Sequence, residues 1–411
     1  MANVEIYVPI NLLTEEVFFG SELEKSATRY AISDGDNTAE YTGSFTYPSS
    51  FGIEGTLQTF RVSRMDVLQF DVTDINADAA AVFAGYFTPE GLQGALSVAF
   101  AQADIFLGST GTDYILGYGG DDSIDSNGGA DTIEGGDGND TLIGSDDDNT
   151  LAGGAGNDSI LGYDGVDRIS GSDGDDTLSG MGGDDEMGGG PGIDVMIGGD
   201  GNDRMGGGLD TDYMTGGNGD DIVNGGPGDD SNDGGEGSDT MGGSFGDDIV
   251  TGGRGDDSLG GGAGRDFVDG EDGNDTIGGG EGNDTIIGGA GFDFLAGGGR
   301  NDIIDGGDGR DTINGGTGDD TLTGGTGVDL FVFNILNDGE MDLITDFEDG
   351  LDRIRLSGVD GDNKQARVDA LDIADAMIDG ETGATVTYNG HVISVVGVGA
   401  ADLGFDDFVF V

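Results

Sequence analysis

From Gly108 to Val332 the sequence advances in steps of nine residues with no insertion or deletion, giving 25 units in one register. Gly135–Ile143 (GGDGNDTLI), Gly279–Ile287 (GGEGNDTII) and Gly315–Thr323 (GGTGDDTLT) are typical. Four columns hold this phase. Position one is Gly in 24 units, with Ser126 the exception, and position four is Gly in 22, replaced by Asp147, Asp210 and Arg300. Position six is Asp in 24 units, with Asn149 the exception, and position eight is apolar in 24, with Asn232 the exception. A period kept this strictly confines the chain to stacked copies of one supersecondary unit.

Each unit divides into a turn and a strand. Gly-Gly-x-Gly-x-Asp favours positive-φ turns and tight backbone curvature over helix or sheet. The following x-apolar-x reads as a three-residue strand, its central side chain inward and its neighbours outward. Two units make one turn of a right-handed coil, and the 25 units predict about twelve turns stacked as parallel strands about 4.8 Å apart. The expected core is a thin column that includes Ile115, Ile133, Leu142, Ile277 and Leu322. One buried aliphatic side chain per unit supplies roughly 2–3 kcal/mol. Ordering the unit costs about 1 kcal/mol or more for every residue. Such a column cannot hold the turns by itself.

Charge points to what does. The chain carries 83 Asp and Glu against 14 Lys and Arg, a formal net charge of −69. That balance argues against nucleic acid, which is bound by basic residues neutralising phosphates, and against attraction to an anionic membrane surface. A chain this acidic stays apart by self-repulsion or recruits cations. It has no Cys, so no disulfide staples the fold, and metal is the usual substitute. Residues 1–20 hold neither a basic n-region nor a continuous apolar h-region and are not expected to form a Sec signal peptide. No window approaches 18 apolar residues, so no transmembrane helix is expected.

Ca²⁺ takes about six to eight oxygens, from carboxylates and carbonyls, at roughly 2.3–2.6 Å. A glycine-rich turn leaves its carbonyls unobstructed, and the position-six Asp points back into the same loop. Stacked loops can therefore sandwich an ion. Two stacks of 13 and 12 loops allow up to about 23 sites, which would offset about 46 of the 69 negative charges. Folding and calcium binding then become one event.

The nonapeptide resembles that of the RTX, or haemolysin-type calcium-binding, proteins. This resemblance implies a parallel β-roll. Each ion would take carbonyls from positions one and three of one loop, carbonyls from two and four of the next, and the position-six Asp of both. The ligands carried over to this chain are Asp113, Asp122, Asp131, Asp140, Asp158, Asp167, Asp176, Asp185, Asp194, Asp203, Asp212 and Asp221, followed by Asp230, Asp239, Asp248, Asp257, Asp266, Asp275, Asp284, Asp293, Asp302, Asp311, Asp320 and Asp329. Altered sites are expected at Asn149 with Asp147, at Asp210 and at the Arg300 unit. The resemblance also implies an extracellular protein exported by a Gram-negative type I pathway.

The flanks differ in composition. Phe331–Phe333 and Asp342–Ser357 look like the segment that ends the roll in serralysin-type secreted proteins. Ala384–Tyr388 and His391–Val396 alternate as strands about Asn389-Gly390, a hairpin signal. The final Asp406–Val411 resembles an uncleaved type I secretion signal. In the N-terminal part, Thr56–Val62 and Asp66–Val72 read as a hairpin. A helix is expected from Asn76 through Phe87, and a second from Thr88-Pro89. The expected fold is thus dominated by β-structure. A small α+β domain over 1–107 precedes a right-handed parallel β-roll over 108–332, and a β-rich cap follows over 333–411.

No catalytic constellation emerges. His391 is the single histidine, too few for the His-Glu-x-x-His zinc site of serralysins. Gly242-Gly-Ser244-Phe-Gly246 matches the nucleophile-elbow pattern but falls in a repeat turn. Pore-forming toxins of the family carry a long apolar segment and acylated lysines, whereas this chain has only Lys25 and Lys364. The reading is a secreted, non-enzymatic calcium-binding protein of a surface, matrix or adhesion kind, able to meet cell-surface polysaccharide through bridging Ca²⁺. A membrane-inserting effector and an enzyme with an unrecognised N-terminal site are the alternatives.

Overall fold

The structure, a computed structural model, describes four strand segments within residues 29–78, then residues 103, 105–108 and 110–411. The chain divides into two compact units, Met1–Met196 and Ile197–Val411.

In the first unit Arg29–Ser33, Asn37–Thr46, Glu54–Arg64 and Gln69–Asp78 pair antiparallel in sequence order. Phe60 faces Val72, so the two segments expected to form a hairpin do pair. Asn76 does not start a helix. The strand continues through Asp78 because Ala77 and Asp78 still find partners in Leu57 and Thr56. Residues 79–102 lie outside the described residues, and with them the rest of that helix and the one expected at Pro89. Gln69–Asp78 then pairs antiparallel with Ile105–Leu107, which passes the ladder in parallel to Ser123–Asp125.

From there each strand pairs with the one 18 residues on, so alternate units build two separate parallel sheets. Ile133, Leu151, Ile169 and Met187 are in register on one sheet. Ile124, Leu142, Ile160 and Leu178 are in register on the other. Most strands hold six residues rather than the expected three, for example Thr150–Ala155. Positions two and three of the following unit also find ladder partners one turn away, as Gly154 and Ala155 do with Gly136 and Asp137. Position two reaches this ladder only at positive φ (119° at Gly154), a region that glycine enters without a steric penalty.

The second unit continues the same pattern from Arg204–Leu209 and Tyr213–Asn218. Its last turns break the nine-residue step but keep the ladders. Leu330–Phe333 pairs with Arg353–Leu356, which pairs with Phe408–Phe410, all in parallel. Thr321–Thr323 pairs with Met341–Ile344, which pairs with His391–Val396. Glu381–Tyr388 folds back on His391–Val396 through Asn389 and Gly390, both at positive φ (51° and 87°) as a two-residue hairpin of this type requires. A short helix, Lys364–Val368, is capped by the Asn363 side chain.

The position-eight side chains form the core of each unit: Ile133, Leu142, Val250, Ile286 and Leu322 are fully buried. Asn232 enters the same column. Its Nδ2 donates to the Gly242 carbonyl at 3.2 Å, and its Oδ1 is buried without a hydrogen-bond partner among the described residues.

Candidate metal centre

All 24 position-six aspartates are buried, each at most 3% exposed. Within each unit they stand in two columns, one beside each sheet. Within a column the carboxylates reach back one turn. Asp140 Oδ1 accepts the Asp122 N–H at 2.7 Å, Asp158 accepts from Asp140, and Asp176 from Asp158. The second unit repeats this in Asp239, Asp257, Asp275 and Asp293, at 2.8–2.9 Å. Backbone carbonyls of these aspartates accept from position seven of the next turn, as Thr141 N–H donates to Asp122 and Thr276 N–H to Asp257. Main chain therefore fixes aspartates such as Asp140, Asp158, Asp257 and Asp275 at both ends.

That leaves the other oxygen. Oδ2 of Asp140, Asp158, Asp176, Asp230, Asp248 and Asp275, among others, is buried without a hydrogen-bond partner among the described residues. It lies beside the position-one glycine of its own unit, where the corresponding carbonyl of the next turn also arrives. A Cβ added at Gly135 would meet both Asp140 Oδ2 and the Gly153 carbonyl; one at Gly252 would meet Asp257 Oδ2 and the Gly270 carbonyl. The glycine column keeps this space clear of side chains so that oxygens from successive loops converge on it.

Buried carboxylates without donors are electrostatically costly. Burial pushes the carboxyls of Asp167, Asp176, Asp221, Asp248, Asp275, Asp302 and Asp311 up to about 7. Those of Asp158, Asp257, Asp266, Asp320 and Asp329 rise to about 6 for the same reason. The N–H from the preceding turn opposes the rise, and most of these carboxyls are pushed further by neighbours in the column. A hard divalent cation reverses this cost, and a donor set of carboxylate and carbonyl oxygens is the one Ca²⁺ prefers. No three His, Asp or Glu side chains gather into one metal group among the described residues, so backbone carbonyls must complete the shell. The residues fit calcium.

Asn149 is an internal control. Its Oδ1 accepts the Asp131 N–H at 3.1 Å, as an aspartate would. Its Nδ2, in the place of the second oxygen, donates to the carbonyls of Ser145 (3.0 Å) and Asp147 (2.5 Å) of its own turn. Here an amide supplies the positive partner that carbonyls of this loop accept. The other altered turns leave their column intact. Asp210 and Arg300 both take positive φ (73°), while Asp212 and Asp302 still donate their N–H groups to Asp230 and Asp320 at 2.9 Å.

Two residues outside the nine-residue register extend the columns. Asp342 Oδ1 accepts the Asp320 N–H at 3.0 Å, and Asp352 Oδ1 accepts from Asp329 at 2.9 Å. Both begin an Asp-x-apolar-x sequence (DLIT and DRIR), which is the position six-to-nine pattern freed from its spacing. Asp352 Oδ2 accepts the Glu348 N–H. Asp342 Oδ2 instead meets His391 Nε2 at 2.8 Å, both side chains being almost fully buried. Burial alone would lower the His391 pKa, but Asp342, with Glu340 and the Asn337 carbonyl, holds it above the ordinary value. When protonated, the His391 imidazole closes this column with a cation supplied by the chain. Ser244, the centre of the elbow-like motif, sits in the strand Thr240–Phe245, and its hydroxyl donates to Asn224 Oδ1 at 2.8 Å.

Comparison with known proteins gives the repeat its family. Among the solved structures similar to this chain are two from enzymes. One is a subunit of the mannuronan C5-epimerase of Azotobacter vinelandii, 24% identical over 41% of this chain and 80% of that one, with a TM-score of 0.22. The other is the extracellular lipase of Serratia marcescens, 17% identical over 71% of this chain and 45% of that one, with a TM-score of 0.17. At these scores neither superposes on this chain as a whole. No curated protein matches the sequence. The family model of the RTX calcium-binding nonapeptide repeat matches in overlapping copies from residue 99 to residue 331, more than half of the chain. The chain therefore belongs to the RTX calcium-binding nonapeptide repeat family.

Proposed function

We propose that this is a secreted, non-enzymatic protein that folds on extracellular calcium and serves at a cell surface or in a matrix. The observation that carries the reading is the buried Oδ2 of column aspartates such as Asp140, Asp158, Asp176, Asp230, Asp248 and Asp275, which has no hydrogen-bond partner among the described residues. In low calcium these columns repel, which favours a chain unfolded enough for a type I channel; in millimolar calcium, the range of extracellular modules, the ions join successive turns. The position-six aspartates, from Asp113 to Asp329, are the ligands in this proposal. The exposed carboxylates that remain would meet acidic surface polysaccharide through bridging Ca²⁺. The absence of catalysis is part of the proposal, supported by a lone histidine committed to Asp342 and by a Ser244 hydroxyl bonded to an amide.

The test is fractionation of the producing cells grown in calcium, followed by an EDTA wash. The expected result is protein outside the cell, held at the surface or in matrix and released by EDTA. Protein retained in the cytosol, or freely dissolved in the medium, overturns the proposal.

A further inference from the structure

We propose that one sheet of the second unit, over residues 204–317, is a face through which two copies of this chain associate. Its seven parallel strands run from Arg204–Leu209 through Ile222–Pro227, Thr240–Phe245, Ser258–Ala263, Thr276–Glu281 and Phe294–Gly299 to Thr312–Thr317. In a protein of net charge −69, these strands hold one carboxylate, Glu281, and one cation, Arg204. The strands of the other sheet over the same stretch hold Asp233, Glu236, Asp269, Glu271, Asp272, Asp305 and Asp308. The acid-poor sheet also exposes apolar side chains. Leu209 is 51% exposed, Phe245 65% and Phe294 48%, and Phe245 is in register between Pro227 and Ala263.

The charge distribution selects the occupant. Two copies of so acidic a chain repel wherever carboxylates face each other, and this sheet lets them meet with almost none opposed. Strand spacing and rise give a face of about 30 Å by 20 Å, or about 600 Å² per copy. That is at the low end of a stable interface, consistent with a dimer forming in the micromolar range. The position-nine residues permit close approach. A Cβ at Gly206 or Gly278 would meet nothing within 4 Å, and at Gly242 and Gly260 the nearest atoms are 3.8 and 3.9 Å away. Nothing inside the fold demands glycine there, and strand glycines often mark close approach of another backbone. The flanking turns carry exposed carboxylates such as Asp229 and Asp247, so the rim repels and added salt should tighten association.

The test is sedimentation equilibrium of the full chain in saturating calcium, from micromolar to sub-millimolar concentration. A monomer–dimer equilibrium that strengthens with salt is expected. The triple variant Gly242→Glu, Gly260→Glu, Gly278→Glu puts charge into open space and should weaken dimerisation at least about tenfold with circular dichroism unchanged. Phe245→Ser, a single exposed change, should weaken it in the same direction should the triple variant fold poorly. Thr215→Glu, Thr251→Glu, Ile287→Glu, the matching change on the other sheet, should leave it as it was. A monomer throughout the range overturns the proposal, including one that instead binds a neutral polysaccharide on this face. Equal loss in both triple variants, or in neither, also overturns it.

Discussion

His391 Nε2 lies 2.8 Å from Asp342 Oδ2 at the point where an aspartate column leaves the repeat. Asp342 is held like the aspartates before it, with Oδ1 on the N–H of the preceding turn, but its second oxygen meets a side chain rather than a glycine-lined space. The two columns thus end differently: Asp352 closes on a backbone N–H and Asp342 on the His391 imidazole.

The histidine pair has a defined pH signature. The folded-state pKa of His391 is raised, so its contribution is complete below the unfolded value of about 6.5 and is lost as pH rises through the folded value. His391→Gln cannot carry the charge. In saturating calcium it should lower the melting temperature relative to the unsubstituted chain near pH 6.5, with a cost of about 3 kcal/mol for breaking a buried pair. The gap should narrow in alkaline buffer. A gap that is constant with pH would assign His391 a packing role alone.

The aspartates have the opposite sense. The folded-state carboxyls of Asp158, Asp176 and Asp221 are raised from 3.8 to about 6 or 7 by burial, so without metal the folded form binds more protons than the unfolded one. Metal-free stability therefore falls as pH rises from about 4 through 7. In EDTA, acidification from neutral to about pH 5 should increase β-structure measured by circular dichroism. In calcium the same acidification should raise the calcium concentration needed for folding, because protons compete for the same oxygens.

Asn149→Asp replaces the amide that bonds the Ser145 and Asp147 carbonyls with an oxygen that cannot. The substituted chain should bind about one more calcium ion by metal analysis, and its folding midpoint should move to lower calcium. An unchanged ion count would mean that the turn, with Asp147 in place of glycine at position four, excludes the ion for another reason.

Glycines at two positions of the repeat should respond differently. At position one, Gly252→Ala sets a methyl against Asp257 Oδ2 and the Gly270 carbonyl, both fixed by main chain, and should cost about 1–3 kcal/mol and weaken calcium binding. At position nine, Gly278→Ala points into open space and should change stability by about 0.5 kcal/mol or less. Calcium titrations of the two variants, side by side, measure the difference.

Much of this was legible in the period. The constancy of positions one, six and eight is one spatial statement: a bare backbone, a carboxylate and a buried aliphatic recur at fixed places in every half-turn. Sequence alone under-read the strands, because the residues after position nine are glycines, poor strand formers that here owe their extended pairing to the turns above and below. It also missed Asp342 and Asp352, which keep the local Asp-x-apolar-x pattern but lie 22 and 23 residues beyond Asp320 and Asp329 instead of 18. His391 could not be paired with Asp342 from sequence, since 49 residues and a hairpin separate them. Asn76 was misread because a capping residue outside its tertiary context is indistinguishable from a strand residue whose neighbours still have partners.

The central claim is that calcium between buried aspartates makes the fold possible. A calcium titration of the full chain at neutral pH, started in EDTA and followed by far-ultraviolet circular dichroism, tests it most directly. The account predicts a largely disordered chain in EDTA and a cooperative gain of β-structure as calcium approaches the millimolar range. A spectrum whose β-structure is already complete in EDTA would contradict it.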